Sequence, residues 1–193
     1  AGEYGDVTGC TIEFGGDGVA NLTIPQRQSI ATMCAEINAE FAVFPCDNRL
    51  IQFLRERGDT EITPVVPDED AVYAEIRDID LSALNPYVAK PHFIPRNCVP
   101  VGQVEGLPVD QVVLGSCSNG RLEDLRIAAS IVKGKRVASG VRFIVTPASQ
   151  RIYLQAVREG LVETLMEAGC VVTNATCGCC YGGHMGLIGP GER

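Results

Sequence analysis

Downstream of Pro108 the sequence falls into an alternation that restricts the fold more than any other feature of the chain. Residues 109–114 have the character of a buried strand, and Leu122, Leu125, Ala129 and Val132 then recur at helical spacing. Residues 141–145 form a second strand, Ser149 is placed to cap a helix carrying Ile152, Ala156 and Val157, another helix covers about 161–168, and 170–172 is a third strand. Strands separated by helices run parallel, because each crossover returns the chain to the same end of the sheet. The expectation is an α/β fold of three layers, α/β/α, with mostly parallel sheets and helices on both faces. Sheets of this kind bind ligands in the loops beyond the carboxyl ends of their strands.

The earlier part of the chain is less regular. Residues 9–14 read as a short extended segment closed by Gly15 and Gly16. Pro25 suits the first turn of a helix whose apolar positions are Ile30, Met33, Cys34 and Ile37, and the short apolar run 41–44 follows. Asp47 is a cap for a second helix with the stripe Leu50, Ile51, Phe53 and Leu54, which Gly58 stops. Seven of the eleven prolines lie between Pro64 and Pro108, with a short helix expected over 71–76 and an extended piece over 87–90. Three regions are expected: a partial α/β domain over 1–80, a proline-rich connection over 81–108, and an α/β domain over 109–193 that is truncated at its C-terminal end.

Composition excludes several classes of function. Twenty-four acidic against sixteen basic side chains leave a net charge of −8, and no Lys/Arg block stands out. A nucleic-acid or anionic-membrane partner is therefore not expected. No apolar run approaches the roughly 20 residues of a membrane helix, so the chain is expected to be soluble. It opens at Ala1 without a methionine or a charged-then-apolar leader, and is expected to be a processed or excised piece of something longer.

Nine cysteines, an odd number in a chain large enough to fold without staples, argue against a disulfide scaffold. Cys34, Cys46, Cys98 and Cys170 fall in or beside apolar runs and are expected to be buried small hydrophobes. Cys117 and the group Cys177, Cys179 and Cys180 differ, because they sit among Gly, Ser, Asn and Thr after the first and third strands of the alternating region. Two loops 60 residues apart are thus directed to one sheet edge. Cys177 and Cys180 have the C-x-x-C spacing that places two sulfurs on one metal or cluster, and the spacing alone leaves open a redox pair, a zinc site completed by His184 or Cys179, or an iron–sulfur cluster.

The stretch 113–124, which holds Gly115, Ser116, Cys117, Ser118 and Asn119, resembles the G-S-C-T-N signature of the aconitase superfamily, in its branch of 3-isopropylmalate dehydratase and homoaconitase large subunits. The stretch 174–186, with Cys177, Gly178, Cys179 and Cys180 followed by Gly182 and Gly183, resembles the second signature, C-G-P-C followed by glycines. Residues 8–14 and 89–92 resemble further stretches of the same subunits. Ser118 stands in place of the usual threonine, and Cys179 where proline is common.

The resemblance implies an aconitase-like fold, present in part, and a hydro-lyase that dehydrates and rehydrates a small hydroxy acid. The implied reaction is the interconversion of 2- and 3-isopropylmalate in cytoplasmic leucine biosynthesis, with a homoaconitase or aconitase-type hydratase as the alternative within the family. It implies a 4Fe-4S cluster with one iron free of cysteine, held by Cys117, Cys177 and Cys180, with Cys179 not a ligand. Glu13 matches the carboxylate near the open iron. The implied partners are a small subunit that closes over the cluster and the remaining parts of the large subunit, so the isolated chain is expected to be inactive. A non-catalytic iron–sulfur or zinc-binding module is the reading from another class. His92, in the connection, is expected to be structural, and His184 to orient the cysteine loop at most. Asn119, Arg121 and Asp124 are expected to hold the Cys117 loop or cap its helix.

Overall fold

A computed structural model describes residues 7–91 and 97–193, so His92 lies outside the described residues. The chain divides into two compact units, Ala1–Glu105 and Gly106–Arg193. In the first, β1 (Thr11–Glu13) pairs in parallel with β2 (Phe41–Val43), Glu13 standing opposite Val43. The crossover between them is α1 (Ile24–Met33), flanked by 3-10 turns at Asp17–Asn21 and Cys34–Ile37. Helix α1 starts where it does because Thr23 Oγ1 accepts the Gln26 N–H at 3.2 Å while Gln26 Oε1 accepts the Thr23 N–H at 2.8 Å. This reciprocal cap satisfies two of the helix's orphan donors, and Pro25 occupies the first turn without losing a bond. Asp47 caps α2 (Asn48–Arg55) by accepting the Leu50 N–H at 3.0 Å. Phe14 and Phe44, each one step past its strand, stack at 4.5 Å between ring centroids.

The short helix expected over 71–76 does not form. Val72 is 95% and Ile76 78% exposed, so the apolar positions have no face to bury, and a helix this short is unstable without tertiary packing. A 3-10 turn at Leu81–Ala83, capped by Asp80, comes later, and β3 (Tyr87–Ala89) pairs antiparallel with β4 (Cys98–Pro100).

The second unit carries a three-stranded parallel sheet in the order β5 (Gln111–Leu114), β6 (Arg142–Val145), β7 (Val171–Val172). One helical turn, α3 (Ser116–Asn119), and α4 (Leu122–Val132) connect β5 to β6, while α5 (Gln150–Arg158) and α6 (Leu161–Glu167) connect β6 to β7. Ser149 caps α5 through the Ile152 N–H at 3.2 Å. Leu125, Ala156, Leu165 and Val145 form one core, against which Leu114, Phe143 and Val172 pack from the strands. Full burial of Leu125 and Leu165 stabilises the unit by about 1.5–3 kcal/mol each.

At the alternate strand positions Gln111 and Val113 meet the C-terminal segment, because Gln111 Nε2 donates to the Gly186 carbonyl and Gly186 lies against Val113. Arg142 grips both oxygens of Glu192 at 3.0 and 2.7 Å, and the N–H groups of Asp110 and Gln111 donate to the Arg193 carbonyl at 2.7 and 2.9 Å. The α/β arrangement with parallel sheets thus has the form that the alternation requires. Among the described residues no helix is long and apolar enough to cross a membrane.

Candidate functional site

Because β5, β6 and β7 are parallel, the loops that follow them leave from one edge of the sheet, and two of these loops carry the cysteines singled out by spacing. Residues 115–120, read from the sequence as a loop, contain the helical turn α3, on which Cys117 sits half-buried with Ser116 Oγ at 3.9 Å from its sulfur. Gly120 ends that turn, donating to the Ser116 carbonyl at 3.0 Å. A Cβ on Gly120 would run into the backbone oxygens of Thr146 and Ser116, so only glycine allows the Cys117 turn to seat this closely. Beyond β7, Cys177 and Cys180 are exposed on one tight turn, closed by the Cys180 N–H donating to the Cys177 carbonyl at 3.0 Å. Cys179, between them in sequence, is buried.

The residue that joins these loops is Thr146, which the sequence reading did not single out. It directly follows β6 and has no exposed surface. Its hydroxyl lies 2.9 Å from Thr173 Oγ1 and 3.7 Å from Cys179 Sγ, on the 177–180 side. Its N–H donates to the Leu114 carbonyl at 2.8 Å, and its own carbonyl packs against Gly115 and Gly120, on the Cys117 side. The available signal was positional: a hydroxyl residue just past the central strand, between the two strands whose loops carry thiols.

All nine cysteines are free. Among the described residues no three His, Cys, Asp or Glu side chains stand close enough together to hold a metal ion. Cys117, Cys177 and Cys180 are therefore delivered to one sheet edge without being gathered into a nest. As a donor set they fit a sulfur-held cluster, with two exposed thiols on one turn, a half-buried third on the neighbouring loop, and Cys179 turned inward toward Thr146. The remaining thiols divide. Cys34 and Cys170 are buried, and burial pushes both above the usual thiol range, which makes them poor nucleophiles and poor ligands. Cys46 is half-buried, whereas Cys98, expected to be a buried hydrophobe, is exposed on the strand β4, which pairs with β3 alone among the described residues.

The other polar residues near Cys117 hold the backbone. Asp124 Oδ2 accepts the Arg121 N–H at 3.0 Å at the start of α4, and burial raises its carboxyl above the usual aspartate range. Glu13 belongs to the first unit, at the end of β1, where its exposed carboxylate accepts the Tyr73 O–H at 2.8 Å. Tyr73 lies in the stretch read as a helix, and that misassignment hid its contact with Glu13.

The sequence matches the model of the aconitase family (aconitate hydratase) over residues 3–106 and 99–193. The chain belongs to the aconitase family. This aconitase-family chain is 50% identical over 192 residues to the 3-isopropylmalate dehydratase large subunit of Mycolicibacterium smegmatis, a match covering 100% of this chain and 46% of that one. It is 49% identical to the protein of the same name from Lachnoclostridium phytofermentans and 47% identical to that from Clostridium kluyveri, each match covering 95% of this chain and 43% of the relative. It thus spans less than half the length of these curated relatives. Within its two units the aconitase-family chain brings the loops of Cys117, Cys177 and Cys180 to one edge of the second, and pairs Glu13 with Tyr73 in the first.

Proposed function

We propose that this chain is the cluster-holding part of a 3-isopropylmalate dehydratase large subunit, a hydro-lyase that interconverts 2- and 3-isopropylmalate in leucine biosynthesis. The observation that carries the reading is the seating of both cysteine loops on the buried Thr146, at the carboxyl edge of a parallel sheet. The names of relatives 47–50% identical to the chain support the substrate. Cys117, Cys177 and Cys180 hold a 4Fe-4S cluster in this reading, and Cys179 does not. When bound, the cluster supplies one iron without a protein ligand, a Lewis acid toward a hydroxyl or carboxylate oxygen.

Glu13 handles the proton of the hydroxyl or water that is lost and regained in this reading, and the Tyr73 O–H donates to one of its oxygens. The partners are a small subunit that closes over the site and the rest of the large subunit. Nine free thiols suit a reducing cytoplasm. The test is anaerobic reconstitution with iron and sulfide of chains carrying Cys117→Ser, Cys177→Ser, Cys180→Ser or Cys179→Ser, read by visible absorption and electron paramagnetic resonance. The first three are expected to lose the cluster and the fourth to keep it. A complete cluster in Cys117→Ser would overturn the reading.

A further inference from the structure

The proposed reaction does not use His184, yet it is bound into the turn that presents two of the three thiols. Its Nε2 lies 3.1 Å from Thr176 Oγ1, and the same oxygen accepts the Gly178 N–H at 3.1 Å. The one Thr176 hydroxyl therefore meets both the Gly178 N–H and the His184 ring. The return path is tied as well, since the Gly178 carbonyl accepts the N–H groups of Gly183 at 2.8 Å and His184 at 3.3 Å. Gly178 is buried although Cys177 and His184 are exposed. The imidazole lies where any other residue at 178 would put its Cβ.

We propose that His184 is a positioning residue for the 177–180 turn. Its ring closes over Gly178 and, through Thr176, holds the backbone from which Cys177 and Cys180 project. The consequence for ligand binding rests on the cluster reading above, whereas the clasp itself does not.

Two measurements on the whole chain separate them. The first is amide hydrogen exchange in the metal-free chain, followed by nuclear magnetic resonance at Gly178 and Gly183, with Ile144 and Val145 in β6 as the reference for an intact fold. His184→Ala is expected to speed exchange at Gly178 and Gly183 about tenfold, the equivalent of one ordinary hydrogen bond, and to leave β6 unchanged. His184→Gln, whose amide can still reach Thr176, is expected to restore protection. Exchange in His184→Ala equal to the parent chain would overturn the clasp. The second is cluster assembly from ferrous iron and sulfide, where His184→Ala is expected to lower the yield and His184→Gln to recover it. Equal assembly by His184→Ala would overturn the positioning role, whereas a parent chain that assembles no cluster while its exchange pattern holds would overturn the cluster reading alone.

Discussion

Asp47 performs two tasks, and its replacement should be more costly than the loss of a cap. Besides holding the start of α2, its Oδ2 lies 2.6 Å from Nη2 of Arg27, whose side chain is 4% exposed. That nitrogen also donates to the Val19 carbonyl at 3.0 Å, while Nε and Nη1 have no partner among the described residues. Asp47→Ala would leave a buried guanidinium without its counter-charge. Because Asp47 is 31% exposed, the expected loss is near the lower end of the range for breaking a buried pair, about 3 kcal/mol, read by urea unfolding. The Arg27 guanidinium holds the Asp47 carboxyl below the usual range, so this stabilisation is present above the unfolded aspartate value and is lost as pH falls through the folded one. Tyr73 moves the other way. The Glu13 carboxylate beside it raises its phenol above the ordinary range, so the contact is complete below that range and is lost as pH rises through the raised value. In a titration of ring-labelled tyrosines, Glu13→Gln is expected to lower the Tyr73 value toward the ordinary phenol range.

Among elements, the C-terminal segment is held by titratable contacts. Glu192 accepts from Nη1 and Nη2 of Arg142 and from the Gly189 N–H, and these hold its carboxyl at about 2 against an ordinary 4.5. A depressed carboxyl contributes fully above its unfolded value, so the contact is expected to weaken as pH falls from 4.5 toward 2. Both partners are partly solvated, and salt should weaken the contact further. Amide exchange at Gly189 is expected to rise over that window beyond its intrinsic pH dependence, and Glu192→Gln should abolish the extra rise. An unchanged acid response in that variant would remove Glu192 as the cause. The β5–β6–β7 core itself rests on apolar packing, while on its surface Glu159, held at about 2 by Arg126, ties the end of α5 to α4 and titrates over the same window.

For the molecule as a whole, charge and length point the same way. The dicarboxylate substrate proposed above would need cationic partners, and a chain of net charge −8 that spans less than half of its relatives repels a dianion at long range. The reconstituted chain alone is expected to give no measurable dehydration of 3-isopropylmalate, and activity is expected once the remaining large-subunit segments and a small subunit are added. Robust turnover by the chain alone would overturn the proposal that the site is divided among several polypeptide parts.

Local chemistry made much of this protein legible before any coordinates. The caps at Asp47 and Ser149, the strand and helix alternation after Pro108, and the placement of two thiol loops at one parallel edge depend on short-range periods and on a general rule of sheet connection. What sequence could not decide were the partners of residues brought together from a distance. Thr146 became the seat of both loops, Tyr73 reached Glu13 instead of entering a helix, and Cys98 faced solvent instead of a core. Periodicity reports which side of an element is apolar, but only the packing of elements determines whether anything lies on that side to cover it. Glu13, Cys117, Cys177 and Cys180 therefore enter as expectations from the resemblance of their stretches to a family, whereas the seating of both thiol loops on the buried Thr146 came from tertiary structure.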